Sequence, residues 1–302
     1  MTTIFSPRKL DSHKGDYGKV FILAGSLGMS GAAILAAKGA LRTGAGLVFL
    51  GIPQILNQIV ETELLEVISK PLKQTKDGCL SLRNYSFIYN FIRKIDALVL
   101  GPGLSQNRET QRLIRRLIKT VKKPLVIDAD AINALAGNLS LLLSPTAKQQ
   151  PAIKVITPHP GELAHLLKID AGEIQKKREE IAVDFARRYK LTVVLKGFRT
   201  IVTDGEGEIY INRTGNPGMA TAGMGDILSG MLGALLARGF SPFKAAKAAV
   251  YLHGAAGDLA VREKGEEGMI ASDVVEKIPE AIKLNSDYSD EKPAITAMNL
   301  SP

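Results

Sequence analysis

The stretch GNPGMATAGMGDILSGMLGALLARG, residues 215–239, sets a glycine-rich loop directly against an apolar helical pattern. Gly223 and Gly225 can take φ > 0, which lets neighbouring backbone N–H groups converge on one point, and the following helix adds the positive end of its dipole. Such a loop, with Met224 between the two glycines, forms an anion hole suited to a phosphoryl group whose charge must be held during transfer. Asp226 stands at the junction of hole and helix. Asp is a preferred N-cap, but a carboxylate beside a phosphate hole is also placed to accept a proton from a substrate hydroxyl. The preceding GMG and the density of glycine favour the second role.

Working outward, short β-rich runs alternate with longer helical patterns. They are VFILAG from Val20, a small-residue helix from Ser30, LVFLGI from Leu47, DALVLG from Asp96, a charged amphipathic segment over 108–121, PLVIDAD from Pro124 and KVITP from Lys154. That is the order of βαβ units, and strands with so little alternation belong in a parallel sheet buried on both faces. TVVLKG, TIVTD and EIYIN follow at close spacing around Gly205 and Gly207, which predicts an antiparallel edge or hairpin. Helices are predicted over about 221–238 and 242–262. No Ser/Gly/Pro-rich linker divides the chain and no repeat recurs. The expectation is an α/β fold with a largely parallel central sheet flanked by helices on both faces. Residues 1–284 read as a single catalytic domain, and the polar, proline-bearing residues 285–302 as a disordered tail.

Composition narrows the class. The 302 residues are 45% hydrophobic and 23% charged, a soluble globular balance. No apolar run is long enough to span a membrane, and the N-terminus lacks the apolar stretch of a secretory signal. The single cysteine, Cys79, cannot form an internal disulfide, so a cytoplasmic protein is expected. The net charge of +9 draws anions such as nucleotides. The basic runs 119–123 and 176–178 lie in helical stretches without interleaved aromatics, which reads as solvated helix faces rather than a nucleic-acid surface. GSLGMSGAA, residues 25–33, also places glycines between strand and helix, but it is neither G-x-G-x-x-G nor followed by G-K-[ST].

The loop ending in GMGD resembles the GxGD signature of the ribokinase-like superfamily. Seven motifs in order, HKGDYGKVFILAGSLGMSGAA, RTGAGLV, LVLGPGLS, VIDADAINAL, TPHPGE, VLKGFRT and the GMGD loop, make the chain similar to the ATP- or ADP-dependent NAD(P)H-hydrate dehydratases over roughly residues 13–283. The resemblance implies that (6S)-NAD(P)HX, the hydrated dihydronicotinamide dinucleotide, is the substrate. It also implies that ATP or ADP donates the phosphoryl group, with Mg2+. A ribokinase-like kinase of a small alcohol would share the anion hole and Asp226 but release a stable phosphate ester. A non-catalytic adenylate sensor would keep the pocket without the chemistry.

By the same resemblance Asp226 is the catalytic base, and Ala45, Gly103, His159 and Asp226 contact the substrate. Lys196, Gly197, Phe198, Arg199 and Thr200, with Gly225, hold the nucleotide, and Phe198 either stacks on adenine or faces outward. Glu162, in H-x-x-E spacing with His159, corresponds to the glutamate that organises magnesium through water in related kinases; the helix dipole also favours a glutamate there. His13, His165 and His253 carry no assigned role. Asp128 and Asp130 end a buried strand and either face the crevice or cap the next helix. A homotetramer is expected from the family, and because the first motif begins near His13, an NAD(P)HX epimerase is expected as a separate protein.

Overall fold

Val20 and Ile22 pack on one face of strand β1 (Lys19–Leu23) and Phe21 and Leu23 on the other, all fully buried. A strand with no solvated face must lie inside a sheet covered on both sides. The computed structural model, which describes residues 4–143 and 153–286, contains that sheet. Its further strands are β2 (Leu47–Pro53), β3 (Ile68–Leu72), β4 (Ala97–Leu100), β5 (Leu125–Ile127), β6 (Lys154–Ile156), β7 (Thr192–Leu195), β8 (Ile201–Thr203) and β9 (Ile209–Ile211). They are ordered β3-β2-β1-β4-β5-β6-β7-β8-β9. Every pairing from β3 to β7 is parallel, while β8 and β9 add antiparallel strands at one edge, as the spacing around Gly205 and Gly207 predicts.

The sheet is covered by α1 (Ser30–Arg42), α2 (Asn57–Glu63), α3 (Tyr85–Ile92), α4 (Arg108–Thr120), α5 (Asp130–Asn133), α6 (Pro160–Leu167), α7 (Ala171–Lys176), α8 (Arg178–Tyr189), α9 (Met224–Ala237), α10 (Pro242–Gly268) and α11 (Ala271–Leu284). The buried side chains of α1, α2, α9, α10 and α11 pack with one set of strand residues, and those of α3 to α8 with the alternate set. The expected α/β arrangement, helices on both faces of a largely parallel sheet, is therefore the one observed. α9 begins at Met224 rather than near 221, because Gly223 takes φ 92 and serves as N-cap. Asn285 is fixed by the Tyr251 hydroxyl and the Ala281 carbonyl; residues 287–302, the rest of the expected tail, lie outside the described residues.

α9 fits between the sheet and α1 because it is glycine where each approaches. A Cβ on Gly233 would lie 2.3 Å from Val99 Cγ2, and one on Gly230 would lie 1.9 Å from the Ala36 carbonyl oxygen. The facing stripe of α1 is Ala33, Ala36, Ala37, Gly39 and Ala40, all buried. Gly230→Ala is therefore expected to destabilise the protein by about 3 kcal/mol or more, since backbone cannot yield as a side chain can. Gly31→Ala, where an added Cβ meets nothing within 4 Å, is expected to be neutral or stabilising by about 0.4–1 kcal/mol. Urea melts of the two variants should move in opposite directions.

Candidate active site

The chain leaves β1 to build β2 and β3 on one side, then returns to place β4 on the other, so the sheet order reverses between β1 and β4. Ligands of open α/β sheets bind outside the carboxyl ends of strands at such a point. Two loops are joined there. The Gly25 N–H donates to the Pro102 carbonyl at 2.8 Å, and Ser26 Oγ to the Gly103 carbonyl at 2.8 Å. Gly103 has φ 60, and its Cβ would lie 3.0 Å from both Ala32 and Met29 Cβ. Gly101 is tighter still, as its Cβ would meet the Asp128 carbonyl oxygen at 1.7 Å.

At the same edge, Asp128 follows β5 and is buried. Its Oδ1 accepts from Thr157 Oγ1 at 2.6 Å and Lys196 Nζ at 2.8 Å, and its Oδ2 accepts from Ser229 Oγ at 2.7 Å. Burial alone would raise its pKa, but the Lys196 charge and these donors hold it below the usual carboxylate range. For Lys196, burial pulls the pKa down, yet Asp128 and Glu162 outweigh that and it stays raised. Residue 129 between the strand and α5 is an alanine at φ 46, a strained turn that aims Asp128 inward. Asp130 is a structural partner: its carboxylate accepts from the Ser105 N–H at 2.7 Å.

The Lys196 ammonium also reaches the glycine loop, for a Cβ on Gly225 would lie 3.3 Å from its Nζ. Gly223, Met224 and Gly225 thus start α9 with the half-buried Lys196 ammonium against it; Gly223 takes φ 92, whereas Gly225 is already helical. Asp226 sits in that first turn, one turn past the Gly223 N-cap, so capping does not occupy its carboxylate. Burial and the neighbouring Asp128 push its pKa up from 3.8 to about 7, with Lys196 opposing.

His159 caps α6: its Nδ1 accepts from the Glu162 N–H, while its own N–H donates to Glu162 Oε2 at 2.8 Å. Glu162 is half-buried, 3.8 Å from Lys196 Nζ, and its pKa is raised chiefly by loss of solvent. The turn from Lys196 to Thr200 joins β7 and β8 at this edge, with Phe198 87% exposed and Arg199 over its ring at 5.4 Å. Phe198 therefore faces outward. His253 is buried near Met224 and Lys196, and burial lowers it to about 4, which keeps it neutral.

Gly103, His159, Glu162, Lys196 to Thr200 and Gly223 to Asp226 thus gather at one edge of the sheet. Ala45 does not join them. It precedes β2, and Gly46 beside it pairs with Gly18 ahead of β1, which puts Ala45 at the amino ends of the strands. An αβ loop must lie at that edge, and packing accounts for its glycines: Gly44 has φ 92, and a Cβ on Gly46 would lie 1.7 Å from the Lys14 carbonyl oxygen.

The doubly covered, largely parallel sheet with its antiparallel edge is a ribokinase-like fold. The sequence pattern of the NAD(P)H-hydrate dehydratase family matches residues 20–280, and the chain belongs to that family. It is 41% identical over 293 residues to the bifunctional NAD(P)H-hydrate repair enzyme of Moorella thermoacetica, covering 97% of this chain and 54% of that protein. The chain thus spans about half the length of that relative. It is 34% identical over 275 residues to the ADP-dependent (S)-NAD(P)H-hydrate dehydratase of Neisseria meningitidis, covering 90% of this chain and 87% of that one. The solved ADP/ATP-dependent NAD(P)H-hydrate dehydratase of Bacillus subtilis, co-crystallized with ATP/Mg2+, is 30% identical with a TM-score of 0.77, covering 93% of this chain and 95% of that chain.

The two aspartates have opposite stability consequences. The folded pKa of Asp226 lies above its unfolded value, so the native state binds the extra proton between 3.8 and about 7 and loses stability as pH rises through that window. Asp226→Asn is expected to be more stable than the native protein above pH 7, the gain vanishing below 3.8. Asp128→Ala takes the nearest carboxylate from the half-buried Lys196 ammonium and should cost about 1–3 kcal/mol. Denaturant melts across pH test both.

Proposed function

We propose that this chain uses ATP or ADP to dehydrate (6S)-NAD(P)HX, regenerating NAD(P)H. The observation that carries this reading is the convergence of Lys196, the α9 N-terminus and Asp226, whose pKa of about 7 suits a base working at neutral pH. Asp226 accepts the proton of the substrate hydroxyl as its oxygen attacks the terminal phosphorus of the nucleotide, and the shortened nucleotide leaves. The amides at Gly223 and Gly225 and the Lys196 ammonium hold the transferred group. Phosphate is a far better leaving group than hydroxide. The ring nitrogen's lone pair expels it, and loss of a proton from the adjacent ring carbon restores the dihydronicotinamide.

Gly103 and His159 line the substrate side, and Lys196 to Thr200 with Gly225 the nucleotide side. Three carboxylates, Asp128, Glu162 and Asp226, face one ammonium, so a polyphosphate needs further positive charge to settle here. Magnesium, an ion that keeps its waters and leans on substrate phosphates, would supply that charge. Glu162 would hold it through water, and it would neutralise charge on the phosphates. The same reading includes cytoplasmic work, supported by the lone cysteine, and assembly as a homotetramer; the bifunctional relative supports an epimerase acting in the same repair. No helix among the described residues is long and apolar enough to cross a membrane.

The test is the near-ultraviolet absorbance of reduced nicotinamide when the protein meets hydrated NADH and magnesium with ATP, with ADP and with neither. A nucleotide-dependent rise with release of inorganic phosphate is expected. A stable phosphate ester instead would identify a small-alcohol kinase. kcat/KM should fall about tenfold per pH unit below pH 7, as Asp226 protonates. Asp226→Asn should lose on the order of 10²–10⁴-fold in kcat, the usual worth of a general base. A fully active Asp226→Asn protein would sink the mechanism.

A further inference from the structure

Arg178 ends the basic run 176–178 and opens α8, 18 residues before Lys196; rather than facing solvent, its guanidinium reaches the exit of β7. Nη2 donates to the Leu195 carbonyl at 3.1 Å and to the Lys196 carbonyl at 3.3 Å, and Nη1 donates to Gln175 Oε1 at 3.1 Å. Successive carbonyls of a strand point to opposite sides. Two neighbours can accept from one nitrogen only where the pleat has ended, so this contact fixes the point and direction at which the chain leaves the sheet.

The turn beyond that exit has little freedom. Gly197 has φ 125, and a Cβ there would lie 2.8 Å from Arg178 Nη1; Arg199 has φ 54, and Thr200 Oγ1 closes on the Gly197 carbonyl at 2.9 Å. The other holds on this turn are the Lys196 N–H on the Pro158 carbonyl at 2.8 Å and the Asn212 N–H on the Thr200 carbonyl at 2.9 Å. Beyond them the turn is open, as the exposed Phe198 shows. The Lys196 side chain, by contrast, is fixed separately through Asp128. Backbone placement of the turn and placement of the ammonium therefore rest on different contacts.

We infer that Arg178 is a positioning residue for nucleotide binding, setting the backbone of the turn from Lys196 to Thr200 without touching the phosphoryl-transfer groups. The inference rests on the proposed function, in which that turn receives ADP or ATP. Lysine cannot replace the fork, since a single ammonium of shorter overall reach does not span two carbonyls and Gln175 together.

The experiment is calorimetric titration of ADP and ATP, with magnesium, into the full chain and into Arg178→Ala and Arg178→Lys, alongside steady-state kinetics and melting. Losing two charge-assisted bonds to the turn should weaken nucleotide affinity and raise nucleotide KM by about tenfold to a hundredfold in both variants. kcat and the KM for hydrated dinucleotide should stay within about twofold, because Asp128 still holds Lys196. If the native chain binds and both variants bind equally well, the inference is overturned while the proposed function stands. If kcat and both KM values worsen together with a lower melting midpoint, Arg178 is a general clamp and the inference is again overturned. A native chain that binds neither nucleotide overturns the proposed function itself, and the inference with it.

Discussion

The seating of α9 is the constraint on which the active edge depends. A helix pressed between a sheet and another helix normally stands off by the width of side chains, with axes separated by about 8–10 Å between helices. Here Gly230 and Gly233 remove the side chains on both sides, so α9 lies against Val99 and against the backbone of α1. Glycine inside a helix costs about 1 kcal/mol each relative to alanine, and two in one central helix are a measurable local sacrifice. What they secure is position: the N–H groups at Gly223 and Gly225 arrive beside the ends of β5 and β7, near enough for Lys196 to reach Gly225. A helix displaced outward by a methyl group would carry its N-terminus away from that lysine.

Once the helix is seated, the chemistry is set by how donors are shared. Asp128 and Asp226 are the same residue type near the same lysine, one buried and the other half-buried, yet their pKa values move in opposite directions. Asp128 receives three hydrogen bonds, and its ionised form is therefore stabilised despite full burial. Asp226 has burial and the charge of Asp128 against it, with Lys196 only partly compensating. Two carboxylates driven apart in this way differ in charge near neutrality, Asp128 staying ionised and Asp226 able to hold or release a proton.

Much of this was legible in the sequence where a local pattern has one physical solution. The apolar runs at Val20, Leu47, Asp96, Pro124 and Lys154 read as buried parallel strands, and the glycine-rich run before Asp226 reads as a loop entering a helix. β3 was not legible: Ile68 is exposed, Ser69 and Lys70 are half-buried and Pro71 interrupts the run, as an edge strand allows. Asp128 could be seen at a strand end, but its donors lie 29, 68 and 101 residues away, so nothing local separates a cap from a charge anchor. Ala45 shows the converse. Small residues between helix and strand look alike whether they meet a ligand or a neighbouring backbone, and only the sheet direction shows that this loop lies at the amino edge.

The antiparallel extension of the sheet then acquires a reason. A parallel crossover returns the chain to the opposite edge before the next strand begins, so it cannot deliver two consecutive loops to the same edge cheaply. The β7–β8 hairpin turns at the carboxyl edge and leaves Lys196 to Thr200 there. β8 runs back, β9 returns, and the chain emerges at that edge a second time, where it enters the glycine loop. That loop is moored as it leaves: the Asn212 amide donates to the Val250 carbonyl, and Asp258 accepts from the Gly215 N–H and the Asn216 amide. The reversal thus brings the turn from Lys196 to Thr200 and the glycine loop, well apart in sequence, to one edge of the sheet.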